Sequence, residues 1–120
     1  MAEHNKNGKL GEKLAEEYLI NHGYTVLQTN WRTARYEVDI IAQKDTILVF
    51  CEVKYRSSSI FGEPETFVTK QKQRNIIKSA AIYVEKKHWQ GETRFDIISV
   101  LMEGKTVRIN HIEDAYGCTW

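Results

Sequence analysis

The sequence contains few of the residues that build disulfide-rich or membrane-spanning proteins. Its 120 residues include one proline and two cysteines, and no apolar run approaches the roughly 20 residues that cross a bilayer. Two cysteines cannot make a disulfide scaffold, and the polar N-terminus has no apolar stretch of the kind found in signal peptides. These absences exclude a disulfide framework and a membrane span, and they predict a reduced, cytoplasmic protein.

An excess of charge of either sign is also missing, since 17 Lys and Arg residues oppose 16 Asp and Glu residues. A net charge of +1 does not exclude nucleic acid as a partner, because local patches matter more than the sum. Apolar residues make up 42% of the chain, which is enough to bury a core and excludes intrinsic disorder. The length predicts a single domain over 1–120, of which 1–7 are expected to be flexible.

Hydrophobic periodicity predicts an α/β chain with the element order α-β-β-β-α-β-β. The predicted elements, in chain order, are a helix over 9–22, strands over 24–31, 37–42 and 46–54, a helix over 69–87, and strands over 94–101 and 106–112. Gly11 lies in the middle of the apolar side of the first helix, where the lack of a side chain permits close packing. This order predicts one mixed central β-sheet flanked by helices.

The second and third predicted strands place charged residues at matching positions. Residues two apart share a face of a strand, so Glu37 and Asp39 point to the same side. On the third strand the same alternation places Glu52 and Lys54 together, next to the apolar Phe50. This face therefore combines charge with apolar neighbours and is not simply a solvated surface.

Two registers are open for an antiparallel hairpin of these strands. A two-residue turn at 44–45 pairs Glu37 with Glu52. A four-residue loop instead places Asp39 opposite Glu52. Glu37 then lies opposite Lys54. In both registers three carboxylates and one lysine share a face, so this conclusion does not depend on the turn.

A divalent metal ion would resolve the conflict among these charges. Like charges across a hairpin cost roughly 0.2–1 kcal/mol per pair, and apolar neighbours raise the pKa of a carboxyl unless a cation compensates. Mg²⁺ favours one or two carboxylates together with waters and phosphate oxygens, and Asp39 and Glu52 provide such a pair. Lys54 would then orient an attacking water or offset charge on a phosphate. The structural alternative is a charged hairpin end in which Lys54 only neutralises a carboxylate.

Cations surround the predicted hairpin and the start of the second helix. The helix macrodipole disfavours cations at that end, but a helix N-terminus itself binds phosphate, so an anionic partner explains the pattern. We predict that six cations contact the DNA backbone, namely Lys70, Lys72, Arg74, Arg32, Arg35 and Arg56. The alternative is a basic helix that only faces solvent.

Motifs for other chemistries are absent from the sequence. The four histidines have no metal-ligand spacing, which argues against zinc. No phosphate-binding loop, dinucleotide-binding motif or nucleophile elbow is present, so no nucleotide cofactor is expected.

The hairpin residues resemble a known nuclease signature. Asp39, followed by Glu52-Val53-Lys54, is similar to the D…(D/E)-x-K pattern of the PD-(D/E)xK nuclease superfamily. More narrowly, the chain resembles the YraN-like family of predicted endonucleases, which is related in fold to archaeal Holliday-junction resolvases. Similar segments occur in order along almost the whole chain, among them Gly11-Glu12, Gly23-Tyr24, Asn30-Trp31-Arg32, 37–42, 49–54, Arg94-Phe95-Asp96 and 112–116.

The resemblance implies a restriction-endonuclease-like core and metal-dependent hydrolysis of DNA phosphodiester bonds. Asp39 and Glu52 are then expected to hold Mg²⁺ or Mn²⁺, and Lys54 is expected to position water. Glu37 is expected to act with this catalytic group. Glu12 of the first helix is expected to join the metal site, the alternative being an ordinary solvated helix residue.

Kinship with resolvases implies branched DNA as the substrate and a homodimer, because a four-way junction needs two symmetric cuts. Two other classes of function stay open. One is a non-catalytic nucleic-acid-binding module with a vestigial nuclease site. The other is a structural or interaction protein that uses the fold only as a scaffold.

Overall fold

The computed structural model describes residues 2–57 and 68–117. Its elements are α1 (Ala2–Asn21), β1 (Thr25–Thr33), β2 (Tyr36–Lys44), β3 (Ile47–Arg56), α2 (Lys70–Lys87), β4 (Glu92–Glu103) and β5 (Thr106–Tyr116). They confirm the predicted order α-β-β-β-α-β-β. Within these ranges, no helix is long and apolar enough to cross a membrane.

The strands form a mixed sheet in the order β1-β2-β3-β4-β5. Neighbouring strands are antiparallel except for β3 and β4, which are parallel and are separated in the chain by α2. A parallel pair requires such a crossover, whereas antiparallel neighbours can be joined by short turns. The mixed sheet predicted from the element order is therefore confirmed.

The two helices cover opposite faces of the sheet. Ala15 and Leu19 of α1 belong to an apolar cluster that includes Ile40. Ile76 of α2 belongs to a different cluster, which includes Ile41. Because adjacent residues of a strand point to opposite faces, Ile40 and Ile41 place the two helices on the two sides of β2. The central strands are thereby buried on both faces.

Gly11 allows α1 to lie directly against β3. A β-carbon at this position would lie 2.7 Å from Cδ1 of Tyr55, which is closer than carbon atoms pack. The close packing predicted at Gly11 is therefore confirmed. The contact also holds the next residue, Glu12, within electrostatic range of Glu52 on β3.

The first turn of α2 has a fixed backbone. The hydroxyl oxygen of Thr69 caps the helix by accepting a hydrogen bond of 3.2 Å from the Lys72 N–H. On the inner face, Ile76 and Ala80 are buried against the sheet. The position of Lys72 is thus set by both the cap and the packing of the helix.

Some predicted boundaries are wrong at the outer ends of elements. α1 begins at Ala2 and not at Lys9, so 2–7 belong to the helix backbone. These residues are mostly polar and show no apolar stripe, which is why periodicity did not indicate a helix there. The last strand runs to Tyr116 and not to 112, past a register shift against β4 that simple alternation does not anticipate.

Candidate functional site

The hairpin of β2 and β3 has a register that brings Asp39 to Glu52. Paired residues run from the turn up to Ile40 and Cys51, so the next positions on the two strands are Asp39 and Glu52. At that point the regular pairing ends. Instead, Oδ2 of Asp39 accepts a hydrogen bond of 2.8 Å from the Val53 N–H. At this position a hydrogen bond to a side chain of β2 thus takes the place of a backbone–backbone hydrogen bond between the two strands.

The turn that sets this register consists of Asp45 and Thr46, between the paired residues Lys44 and Ile47. Asp45 has a φ of 54°, in the left-handed region that Asp tolerates better than most residues. The alternative with a turn at 44–45 is therefore wrong. The register predicted for the longer loop is the one observed, although only two residues lie outside the pairing.

Asp39 has a strongly raised pKa. Burial and then the charge of Glu52 raise the pKa of Asp39 from 3.8 to about 8, although the hydrogen bond from Val53 opposes the change. A carboxyl in this environment keeps its proton at neutral pH, and a nearby cation restores its charge. The conflict predicted between carboxylates and apolar neighbours is therefore present at Asp39.

Glu52 is buried and paired with Lys72 from α2. Nζ of Lys72 lies 2.8 Å from Oε2 of Glu52. The Glu52 side chain is 5% exposed and the Lys72 side chain 48%, so the pair extends from the interior to the surface. Burial lowers the pKa of Lys72, but the hydrogen bond to Glu52 and the charges of nearby carboxylates raise it by more. Those other carboxylates are Asp39 and Glu37.

Two further carboxylates approach this pair from α1 and β2. Burial raises the pKa of Glu12, and a hydrogen bond with the Asn30 side chain opposes the increase. The charges of Glu37 and Glu52 raise it further. Glu37 also lies opposite Arg32 of β1, with Oε1 at 3.7 Å from Nη2. Glu12 and Glu37 are therefore part of the electrostatic environment of the hairpin.

Lys54 lies on the same face of β3 as Glu52. β3 pairs with β4 from Ile47 to Arg56 without a register shift, so the alternation of side chains is unbroken. Lys54 is partly buried. The predicted placement of an acidic and a basic residue on one face of this strand is therefore confirmed.

The predicted DNA-binding cations lie on segments that meet at one end of the sheet. Arg32 is on β1, Arg35 precedes β2, Arg56 ends β3, and Lys70, Lys72 and Arg74 begin α2. The end of β1, the start of β2 and the end of β3 are neighbours in the antiparallel sheet, and the Lys72–Glu52 contact brings α2 to the same place. Five of the six cations are exposed, and Arg56 is partly buried.

The donor set at this end of the sheet suits a hard divalent cation. Asp39 and Glu52 provide two carboxylates, and Mg²⁺ commonly takes one or two together with waters and phosphate oxygens. Across residues 8–57 and 68–117, no three His, Cys, Asp or Glu side chains come close enough together to enclose a metal ion. The residues therefore fit a site completed by water and substrate, and they do not fit an all-protein cage.

A second polar cluster, which the sequence did not reveal, lies on the α1 side of the sheet. Asp96 of β4 is fully buried and accepts hydrogen bonds of 2.9 and 2.8 Å from Arg94. Nε2 of His111 lies 2.6 Å from Oδ2 of Asp96, and its Nδ1 lies 3.3 Å from the Tyr18 hydroxyl. The Tyr24 hydroxyl accepts a hydrogen bond of 2.6 Å from Arg94.

This cluster ties α1, β4 and β5 to the segment that precedes β1. Burial alone would raise the pKa of Asp96, but hydrogen bonds with His111 and Arg94 hold it below its ordinary value. The signal in the sequence was the pair Arg94 and Asp96, which alternate on an otherwise apolar strand and so share a face. Since these buried groups are paired with one another, the cluster has a structural role.

The protein is thus an α/β chain with a mixed sheet between two helices. At one end of that sheet, the β2–β3 hairpin carries buried carboxylates, one of which pairs with a lysine of α2. A model of the uncharacterised protein family UPF0102 matches residues 11–100. The chain therefore belongs to the UPF0102 family. The family resemblance indicated by the motifs is confirmed at this level, while the nuclease superfamily remains a prediction.

Relatives of the chain match over nearly its full length. A UPF0102 protein of Flavobacterium psychrophilum is 49% identical over 116 residues, covering 97% of this chain and 98% of that protein. A UPF0102 protein of Flavobacterium johnsoniae is 44% identical over 120 residues, with coverages of 97% and 98%. One from Bacteroides thetaiotaomicron is 42% identical over 116 residues, with coverages of 97% and 96%. These names specify no activity.

Proposed function

We propose that this protein is a metal-dependent endonuclease that hydrolyses phosphodiester bonds in DNA. The observation that supports this function best is that Asp39 and Glu52 occupy adjoining positions at the end of the paired β2–β3 hairpin, with Lys54 two residues beyond Glu52 on the same face of β3. Burial and the charge of Glu52 raise the pKa of Asp39 to about 8, so Asp39 needs a nearby cation to carry its charge at neutral pH. Groups perturbed in this way are concentrated at functional sites.

The proposed cofactor is Mg²⁺ or Mn²⁺, held by Asp39 and Glu52. When bound, such an ion polarises a phosphate, stabilises a leaving oxygen and lowers the pKa of water. The raised pKa values of Asp39 and Glu12 and the charge of Glu37 all indicate a region of negative potential that attracts a cation. Glu12 and Glu37 strengthen that potential and act on the ion through water.

The roles of the remaining residues follow from their positions. The Lys54 ammonium, on the same face as Glu52, donates a hydrogen bond to the attacking water and offsets charge that develops on the phosphate. The six cations at this end of the sheet hold the DNA backbone and position it without specifying sequence. The resolvase resemblance makes branched DNA the preferred substrate in this proposal, and a homodimer would supply the two symmetric cuts. A cytoplasmic location suits this function.

A cleavage assay tests the function. Labelled four-way-junction and linear duplex DNA are incubated with the protein in Mg²⁺, in Mn²⁺ and in EDTA. Cleavage is expected only with metal, and Asp39→Asn is expected to abolish it while retaining fold and most DNA affinity. Asp45→Asn, the same chemical change at the other end of the hairpin, is the matched control and should remain active. A fully active Asp39→Asn variant would overturn the assignment.

A second candidate function is a nucleic-acid-binding module whose nuclease site is vestigial. The Lys72–Glu52 ion pair favours it, because it shows that one carboxylate already has a counter-ion. In that case DNA is retained at low salt by the basic end of the sheet, no metal ion is bound, and no DNA is cut. A protein that fails to bind DNA at low salt would instead be a structural or interaction protein.

A further inference from the structure

The Lys72–Glu52 ion pair occupies a carboxylate that the proposed metal site requires. Nζ of Lys72 is 2.8 Å from Oε2 of Glu52, and its charge also acts on Asp39 and Glu37. We propose that Lys72 is an internal counter-ion that a divalent cation displaces from Glu52, so that metal binding frees the ammonium for a phosphate of the substrate. This inference rests on the proposed function. It adds that the binding of the metal ion and the binding of the substrate phosphate are coupled.

Burial decides which partner of the ion pair moves. The Glu52 side chain is 5% exposed and lies on a central strand of the sheet, so it has little freedom to move. The Lys72 side chain is 48% exposed and has a flexible four-carbon stem. Displacement therefore requires only rotation of the Lys72 side chain towards solvent, while the carboxylate stays in place.

The backbone of α2 does not need to move for this change. The Thr69 cap on the Lys72 N–H and the buried Ile76 hold the first turns of the helix in place. A freed Lys72 ammonium would stay at the N-terminal end of α2, where Lys70 and Arg74 are also exposed. Three cations beside a helix N-terminus are an arrangement that suits a phosphate of the DNA backbone.

The exchange makes metal and phosphate binding support each other. Without metal, Lys72 neutralises part of the charge of Glu52, so the ion must compete with the ammonium for the same carboxylate. A bound divalent cation replaces one positive charge with two and leaves Lys72 available to an anion. By linkage, a phosphate that holds Lys72 away from Glu52 increases the metal affinity in return.

The first test compares Mn²⁺ affinity, measured by calorimetry without DNA, in the wild type and two variants. Lys72→Met removes the competing ammonium, and Lys78→Met removes an exposed lysine from the same helix. We expect Lys72→Met to bind Mn²⁺ at least about tenfold more tightly than the wild type, because a unit charge in direct contact with a ligand is removed. Lys78→Met should match the wild type within about twofold.

The second test uses the wild-type protein and so does not depend on the folding of a variant. Reductive methylation of individual lysines is followed by mass spectrometry with and without saturating Mn²⁺. The Lys72 amine is expected to react several-fold faster with Mn²⁺, since the hydrogen bond to Glu52 no longer protects it. The rate at Lys78 should stay the same.

The outcomes separate the inference from the function on which it rests. Equal Mn²⁺ affinities of the wild type and Lys72→Met, with no change in Lys72 methylation, would overturn the displacement and leave the metal site intact. Absence of Mn²⁺ binding in both the wild type and Lys72→Met, with and without DNA, would overturn both. Tighter binding by Lys72→Met, together with faster methylation of Lys72, would support the exchange.

Discussion

Oδ2 of Asp39 accepts a hydrogen bond of 2.8 Å from the backbone N–H of Val53, the residue between Glu52 and Lys54. The regular pairing of β2 and β3 ends one residue earlier on each strand. One hydrogen bond therefore joins the two halves of the D…E-x-K signature. It also fixes the carboxyl of Asp39 close enough to Glu52 for the charge of Glu52 to raise the pKa of Asp39.

Asp39→Asn is expected to change how stability depends on pH in metal-free buffer. The folded-state pKa of Asp39 is about 8, against an ordinary value of 3.8. Between these values the folded state holds the extra proton, so the free energy of unfolding of the wild type falls as the pH rises from 4 to 8. Asn keeps the acceptor for Val53 but cannot ionise. The variant should therefore gain at least about 2 kcal/mol over the wild type by pH 9, at about 1.4 kcal/mol per pKa unit.

Urea unfolding at pH 4, 6 and 9 with a chelator measures this gain. Asp45→Asn, at the exposed turn of the same hairpin, is the control and should keep the wild-type pH profile. Parallel profiles for Asp39→Asn and the wild type would show that Asp39 ionises normally in the folded protein.

Gly11→Ala is expected to destabilise the protein although Ala favours helices. The added β-carbon would meet the Tyr55 ring at 2.7 Å, and overpacking of this kind costs about 1–3 kcal/mol. Gly8 lies on the same helix with nothing within 4 Å of an added β-carbon, so Gly8→Ala should instead stabilise by about 0.5–1 kcal/mol. Thermal unfolding of the two variants gives the comparison. A stabilised Gly11→Ala protein would contradict the close contact of α1 with β3.

Asp96→Asn is expected to cost about 3–5 kcal/mol, because it leaves the Arg94 guanidinium without its buried partner. The pKa of Asp96 is lowered in the folded state, so its contribution is present above pH 3.8 and is lost as the pH falls through the folded-state value. Glu103→Gln breaks an exposed pair with Arg108 at 3.5 Å and should cost less than about 1 kcal/mol. Denaturant unfolding at pH 7 should separate the two variants clearly.

Lys70→Ala is expected to weaken DNA binding mainly at low salt. Each lost phosphate contact reduces the slope of log K against log salt by about one and affects different sequences equally. Lys86→Ala, at the other end of α2, removes the same charge away from the proposed interface and should leave the slope unchanged. Fluorescence anisotropy with a short duplex over a range of salt concentrations measures both. Equal slopes for Lys70→Ala and the wild type would show that Lys70 does not contact a DNA phosphate.

The order of the elements and the side-chain alternation within them could be predicted from the sequence. Both depend on periodicities over a few residues, 3.6 in a helix and two in a strand, which a single segment shows without its partners. The alternation was sufficient to put Glu52 and Lys54 on one face of β3. Helical periodicity failed at the start of α1, because the polar residues there form no apolar stripe.

The distant residues that meet at the hairpin could not be predicted in this way, because tertiary contacts bring them together. The register that brings Asp39 to Glu52 depends on the conformation of Asp45, and local pattern left two registers open. Lys72 reaches Glu52 because α2 crosses the sheet between two parallel strands. The pKa of Asp39 depends on burial and on the charges of Glu52, Glu12 and Lys72, which belong to three other elements. Such contacts join residues far apart in the chain, so no local period encodes them.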